Sequence, residues 1–204
     1  FEIVAVVAIL SLLLLISLSN NRGQSLSLQA ESVAQEVALQ LMNKRSQALK
    51  SGQAQGLAFP GQDAFAAQAY YEVGGMGTLR MQKMRDWSNE FPRAYLSWGA
   101  SGDDVGAEPA EDGDFSAFSG IPAEDPVILF LPDGKAIARG LATDGSFYYI
   151  RVGVEPQGHA GGLKSTRLEG LLKAWTISVS EEGTVLPEVD SDFPPSSNIS
   201  EPSL

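Results

Sequence analysis

The sequence predicts an α+β fold in which one long N-terminal helix, apolar in its first half and amphipathic in its second, lies on an antiparallel β-sheet. Three observations predict it. Ile3 to Leu18 is a 16-residue apolar run broken only by Ser11 and Ser17. Beyond it Ala30, Val33, Val37, Leu41 and Ala48 recur at helical spacing with Ala34 and Ala38 beside them, while Ser32, Glu36, Gln40, Asn43 and Gln47 fall on the opposite side. After residue 52 the helical period gives way to short β-rich runs punctuated by turn residues.

The helix reads as continuous to about residue 50, which at 1.5 Å per residue approaches roughly 75 Å. Residues 1–22 form its membrane or filament-core segment, whose 16-residue apolar run is slightly short of the about 20 residues that a bilayer span needs. Asn20-Asn21-Arg22-Gly23 is its weak point, because Asn and Gly cost helix stability. Ser51-Gly52 supplies the C-terminal stop, which closes an N-terminal unit at residues 1–52. Val33, Val37 and Leu41 are the side chains expected to pack the helix against the sheet.

Residues 53–186 form the β-rich globular part. Gly56-Leu57-Ala58-Phe59-Pro60 is expected to be its first short strand, and the aromatic, amphipathic stretch that follows places a second short helix around Leu79–Glu90. Gly74-Gly75-Met76-Gly77 reads as a turn. It is not a dinucleotide fingerprint, since no strand–helix unit surrounds it. Gly99 to Asp125 reads as an acidic surface loop with little to bury. Val127–Leu131 is a clear strand leading into Pro132-Asp133-Gly134, which suits a type I hairpin turn with a following bulge. Ala136–Leu141 returns, Phe147–Val154 makes another strand, and Ala174–Val179 a further one that ends at Glu181-Glu182-Gly183. Residues 187–204 read as an extended Pro/Ser-rich tail outside the core, where only Val189, Phe193, Ile199 and Leu204 have appreciable apolar area to bury.

Composition narrows the function. At 204 residues the chain holds one ordinary domain plus extra elements, and 44% hydrophobic residues permit a real core. Its net charge of −11 is concentrated: residues 101–125 carry eight carboxylates and residues 181–204 six, with no Lys or Arg in either stretch. The other eleven acidic residues face all 14 basic ones, so two acidic segments are attached to a nearly neutral body with a local balance of +3. Backbone binding of nucleic acid needs clustered cations, so no nucleic-acid partner is expected. The absence of cysteine excludes disulfides, thiolate metal sites and cysteine nucleophiles. His159, the only histidine, sits in the Gln157–Gly162 loop without a nucleophile elbow, phosphate loop or metal-ligand spacing, so neither catalysis nor a cofactor is expected.

Two weaker site signals lie in the acidic segments. Asp103, Asp104, Asp112 and Asp114, with Glu108 and Glu111 between them, are oxygen ligands of the kind calcium takes. Their spacing is not that of an EF-hand loop, and a solvated acidic loop is the preferred reading. Asn198-Ile199-Ser200 matches a glycosylation acceptor, a short pattern that chance often produces.

Glu2 requires its own explanation, because a carboxylate at the edge of a hydrocarbon-length helix is costly unless paired. One reading leaves it near water at the favourable end of the helix dipole. In a bundle of packed apolar helices it must instead neutralise or find a cation. Residues 1–21 contain no Lys or Arg, and Arg22 lies about 30 Å along the axis at 1.5 Å per residue, so a free N-terminal amine is the remaining partner.

Phe1-Glu2-Ile3-Val4-Ala5-Val6-Val7-Ala8-Ile9-Leu10, followed by the amphipathic half-helix and the strands, resembles the type IV pilins and pseudopilins. Leu41-Met42-Asn43-Lys44-Arg45-Ser46-Gln47-Ala48, Phe130-Leu131-Pro132-Asp133-Gly134 and Trp175-Thr176-Ile177-Ser178-Val179-Ser180-Glu181-Glu182-Gly183 are similar to the H-type minor pseudopilins of type II secretion and to FimT-like pilins. The family's processed N-terminus is typically a methylated Phe with Glu four residues after it. Here Glu2 follows Phe1 directly, so the expectation is that three residues precede Phe1 and that processing occurs ahead of it. The resemblance implies the pilin fold, with Glu2 meeting the N-terminal amine of a neighbouring subunit and Phe1 beside it.

It also implies a structural subunit of an extracellular filament: a helical homopolymer, with a prepilin peptidase and the pilus or secretion assembly machinery as further partners. The subunit would reside in the inner membrane as a precursor and then in the filament at the cell surface. The competing readings are a minor pseudopilin of a type II secretion system and a single-pass membrane-anchored binding domain that never polymerises. A plain anchor, however, needs no amphipathic continuation of its helix.

Overall fold

In the computed structural model the residues described are 28–59, 66–98, 108–109, 115–122, 125–143, 145–154 and 172–189. The helix, α1, covers residues 28–51 of these. It stops where the sequence places the stop: Gly52 turns to φ +66°, and its N–H donates to the Ala48 carbonyl at 3.0 Å. A residue without a Cβ takes this left-handed conformation at little cost.

Twelve strands follow among the described residues: β1 (Ala54–Ala58), β2 (Ala66–Ala67), β3 (Ala69–Gly75), β4 (Arg80–Asp86), β5 (Ala94–Ser97), β6 (Glu108–Pro109), β7 (Val127–Phe130), β8 (Ala136–Arg139), β9 (Ala142–Thr143), β10 (Phe147–Val154), β11 (Leu172–Ser180) and β12 (Val185–Val189). They form two antiparallel sheets where the sequence suggested one. The first runs β4-β3-β1-β7-β8; the second runs β12-β11-β10-β5-β2, with β9 joining β10 to β6. The α+β class holds, with one helix packed on antiparallel sheets.

The helix and both sheets share one core. Val33, Val37, Leu41 and Ala48 meet Leu57, Ile128 and Phe130 of the first sheet and Ile150, Val152 and Ile177 of the second, all fully buried or nearly so. A second, smaller cluster lies elsewhere: Ala54, Ala58, Val73, Val127 and Leu129 bury against Leu79 and against Phe115, Phe118 and Ile121. These strand residues alternate with Leu57, Ile128 and Phe130, so they line the other face of the first sheet. A sheet covered on both faces explains why β1 and β7 are buried throughout and show no apolar–polar alternation.

Several expectations are corrected. The first strand starts two residues earlier, at Ala54, and ends at Ala58. The second helix expected around Leu79–Glu90 is instead β4, an edge strand paired to β3 from Ala69↔Asp86 to Gly74↔Arg80. Of the Gly74–Gly77 stretch, Gly74 and Gly75 end β3 and the chain bends only at Met76 and Gly77, with Gly77 at φ +71°. Helical hydrogen bonding there shrinks to one turn, in which the Phe91 N–H donates to the Trp87 carbonyl at 2.8 Å.

The end of the acidic loop is not idle surface. Phe115, Phe118 and Ile121 cover the first sheet, Arg139 sits 5.3 Å above the Phe115 ring, and its guanidinium donates to the Pro122 carbonyl at 2.6 Å. The boundary set at residues 186 and 187 falls inside β12, which pairs with β11 as far as Val189↔Trp175.

Two hairpin turns have the same construction. Pro132-Asp133-Gly134 closes as expected: the Gly134 N–H donates to Leu131 O and the Leu131 N–H to Lys135 O, both at 2.8 Å, with Gly134 at φ +87°. Ser180-Glu181-Glu182-Gly183 repeats the pattern, with Gly183 at φ +78°. The turns touch, since the Ala136 N–H donates to the Glu181 carbonyl at 2.7 Å and ties the edge of the first sheet to the second.

Candidate assembly surface

Polar ties hold α1 in one orientation on the sheets. Lys44, on the buried side of the helix, places its ammonium 2.9 Å from the Glu72 carboxylate on β3 and 3.2 Å from Gln47 Oε1. Its side chain is 3% exposed and that of Glu72 21%, so the pair sits largely out of water.

About two turns earlier, Glu36 accepts from Arg85 of β4 through Nε at 2.8 Å and Nη2 at 3.3 Å, and from the Tyr70 hydroxyl at 3.3 Å. Arg85 also grips Glu90 in a two-pronged pair, at 3.0 and 2.8 Å. The Glu90 hydrogen bonds, then those to Glu36, push the Arg85 guanidinium further above its already high range. The same Arg85 contacts hold Glu90 below the usual carboxylate range. Burial, followed by the charge and hydrogen bond of Glu36, raises the Tyr70 hydroxyl well above its ordinary value. The third tie is Arg45, whose guanidinium donates to the Glu182 carbonyl at 2.9 Å in the β11–β12 turn.

With that orientation set, the helix presents a second apolar stripe outward. Leu28, Leu39, Met42 and Leu49 are 60, 58, 43 and 52% exposed. At about 100° per residue they fall within about 80° of one another, on the side away from the sheets. Ala30, Val33, Ala34, Val37, Ala38, Leu41 and Ala48 are all buried on the other side. Glu31, Gln35 and Ser46 fall in the same sector as Leu28, Leu39, Met42 and Leu49, so the outward side carries these four large apolar residues interleaved with polar ones.

Of the residues singled out in the sequence, Val33, Val37 and Leu41 lie at 1, 0 and 0% exposure in the shared core. Phe1, Glu2, Asp103, Asp104, Glu111, Asp112, Asp114, His159 and Asn198 lie outside the described residues. So does the Ile3–Leu18 run, and among the described residues no helix is long and apolar enough to cross a membrane. Sequence reading placed Glu36 on the exposed side and did not pair it. It also did not mark Leu28, Leu39, Met42 and Leu49, whose signal was present as large apolar residues off the sheet-facing stripe.

The helix thus lies on two antiparallel sheets and is tied to them by polar contacts as well as by the shared core. No protein-family model matches the chain, and no curated protein matches it. Two solved structures of the minor pseudopilin EpsH from the type II secretion system of Vibrio cholerae are similar to it at 12% identity, with TM-scores of 0.44 and 0.42. Each match covers 80% of this chain, and they span 99% and 96% of those chains. The α+β class stands on the chain's own helix and sheets.

Proposed function

We propose that the chain is a structural subunit of an extracellular type IV pilus-like filament, in which copies pack through their N-terminal helices. The observation that supports this best is the outward stripe of Leu28, Leu39, Met42 and Leu49. It lies on the same predicted helix as the Ile3–Leu18 run, so one helix offers apolar surface to neighbours along both halves. Burying that stripe between helices removes it from water at about 25 cal/mol per Å², a repeated gain along a filament. An anchored monomer would leave it solvated, which disfavours the membrane-anchored binding domain.

In this reading Glu2 finds the N-terminal amine of an adjacent subunit and sets axial register, with Phe1 beside it. The acidic residues Asp103, Asp104, Asp112 and Asp114 stay at the filament surface. The role is structural, and the partners are further copies, a processing peptidase and an assembly machine in the inner membrane.

A minor pseudopilin would use the same helix packing, and one experiment separates the two. Surface material is sheared from cells and viewed by negative stain with immunogold against the globular part. Label along the whole length of the filaments is the expected result. Label confined to filament tips, or absent from filaments while secretion depends on the chain, assigns it to a minor role instead. A chain that fractionates only as a membrane-bound monomer overturns assembly altogether.

A further inference from the structure

Among the described residues the exposed large apolar side chains fall into three places. Four are the helix stripe; the others are Met76 and Met84 on the β3–β4 hairpin, and Leu186 and Val189 on β12. The last two patches are the free edges of the two sheets, since β4 pairs with β3 and β12 with β11 at the ends of the strand orders.

Their charges are opposite. Arg80 and Lys83 are exposed on β4, where Arg85 is already held by Glu36 and Glu90 and one carboxylate, Asp86, closes the strand. Glu188 is exposed on β12, with Glu181 and Glu182 in the turn that leads into it. A cationic, methionine-bearing edge therefore has a carboxylate- and aliphatic-bearing counterpart on the same molecule.

The two edges cannot meet within one copy. The turn into β12 is bonded to β8 through Ala136 and Glu181, and β8 lies at the far end of the sheet from β4. Four strand spacings of about 4.8 Å put roughly 19 Å between them, beyond side-chain reach. Resting on the assembly reading above, we propose that the β4 edge of one copy docks on the β12 edge of a neighbouring copy. Such a contact is heterologous, joining unlike surfaces, so it repeats from subunit to subunit and suits an open helical polymer.

The contact runs through side chains and not through a continued β-ladder. β4 is interrupted by a register shift at Glu72/Val73, and β12 carries Pro187 opposite Ile177. A bulge and a proline are the features that keep an edge strand from adding another strand. Charge and apolar contact together make a modest, salt-sensitive attachment that acts beside the helix packing. Its strength declines as the screening length falls below about 8 Å at salt above physiological.

The chain contains no cysteine, which gives a clean background for the test. Full-length chain carrying Lys83→Cys and Glu188→Cys together is expressed in cells, and sheared material is treated with a short bis-maleimide. A ladder of crosslinked oligomers is expected from the double variant, and monomer from either single variant. Filaments that form normally yet give no ladder overturn this contact and leave the assembly reading intact. Dimers from a single variant also overturn it, because they show like edges meeting. If neither the variants nor the parent chain forms filaments, the assembly reading fails and this contact with it. Charge reversal gives an independent measure: Lys83→Glu should lower filament yield several-fold, and adding Glu188→Lys should restore it. No loss on Lys83→Glu, or no rescue, counts against the pairing.

Discussion

Lys44 is the residue whose position the rest of the helix must accommodate. Burying an ammonium at 3% side-chain exposure is costly, and Glu72, 2.9 Å away, offsets that cost. Removing the carboxylate should therefore harm more than removing the pair. Glu72→Ala is expected to lower stability by about 3 kcal/mol, while the double change Lys44→Met with Glu72→Leu stays near the parent. Urea unfolding of the three proteins checks this, and equal losses for single and double variants would contradict it.

Tyr70 makes a prediction in pH. Its hydroxyl donates to Glu36 at 3.3 Å, and burial with that neighbour raises it above the ordinary 10.0. A group raised in the folded state adds stability that is fully present below the unfolded value and is lost as pH rises through the folded one. The protein should thus weaken from about pH 10 upward. Tyr70→Phe should flatten part of that decline and not all of it, because Tyr148 is raised too, by burial and then by the charge of Glu181. Thermal melts at pH 8 to 11 provide the measurement, and identical slopes for parent and variant would rule the account out.

At the scale of elements, β1 governs the first sheet. It is buried along its whole length between β3 and β7, and at its centre Gly56 lies opposite both Val73 and Leu129. A Cβ there would overlap the Ile128 carbonyl oxygen, which is backbone and has nowhere to move without breaking the β1–β7 ladder. Gly56→Ala is expected to cost about 3 kcal/mol, the upper range for overpacking. Gly52→Ala, at the open end of α1 with φ +66° and nothing near its Cβ position, should cost only about 1 kcal/mol. Melting temperatures of the two variants should rank in that order, and the reverse ranking would show that β1 can shift away from β7.

At the scale of the whole molecule, the assembly proposed above would use the side of α1 that folding leaves exposed. Leu39 and Met42 contribute to no buried cluster, so Leu39→Glu with Met42→Glu should leave stability within about 0.5 kcal/mol, as surface changes usually do. The same variant should lose most of its filament yield. Glu2→Ala should behave alike, giving a folded, membrane-inserted monomer and few filaments, with Glu2→Gln intermediate at best. Normal filaments from the stripe variant would remove the outward face from the assembly surface. Normal filaments from Glu2→Ala would remove charge pairing and leave apolar packing as the sole drive.

The sequence by itself determined those features whose signal is local. The sheet-facing side of α1 was legible because Val33, Val37 and Leu41 repeat at helical spacing. The helix stop at Gly52 and the Pro132-Asp133-Gly134 turn were legible because glycine takes positive φ where other residues resist it. Only the tertiary structure decided the rest. Arg80–Asp86 has no strong period of its own, and pairing with β3 makes it a strand instead of a helix. Phe115, Phe118 and Ile121 lie among carboxylates in sequence and become partly buried only because the first sheet has a second apolar face to cover. Lys44 and Glu72 are 28 residues apart, and Glu36 and Arg85 are 49 apart. No periodicity links such positions, because their attraction exists only once the helix has been laid on the sheet and water has been excluded between them.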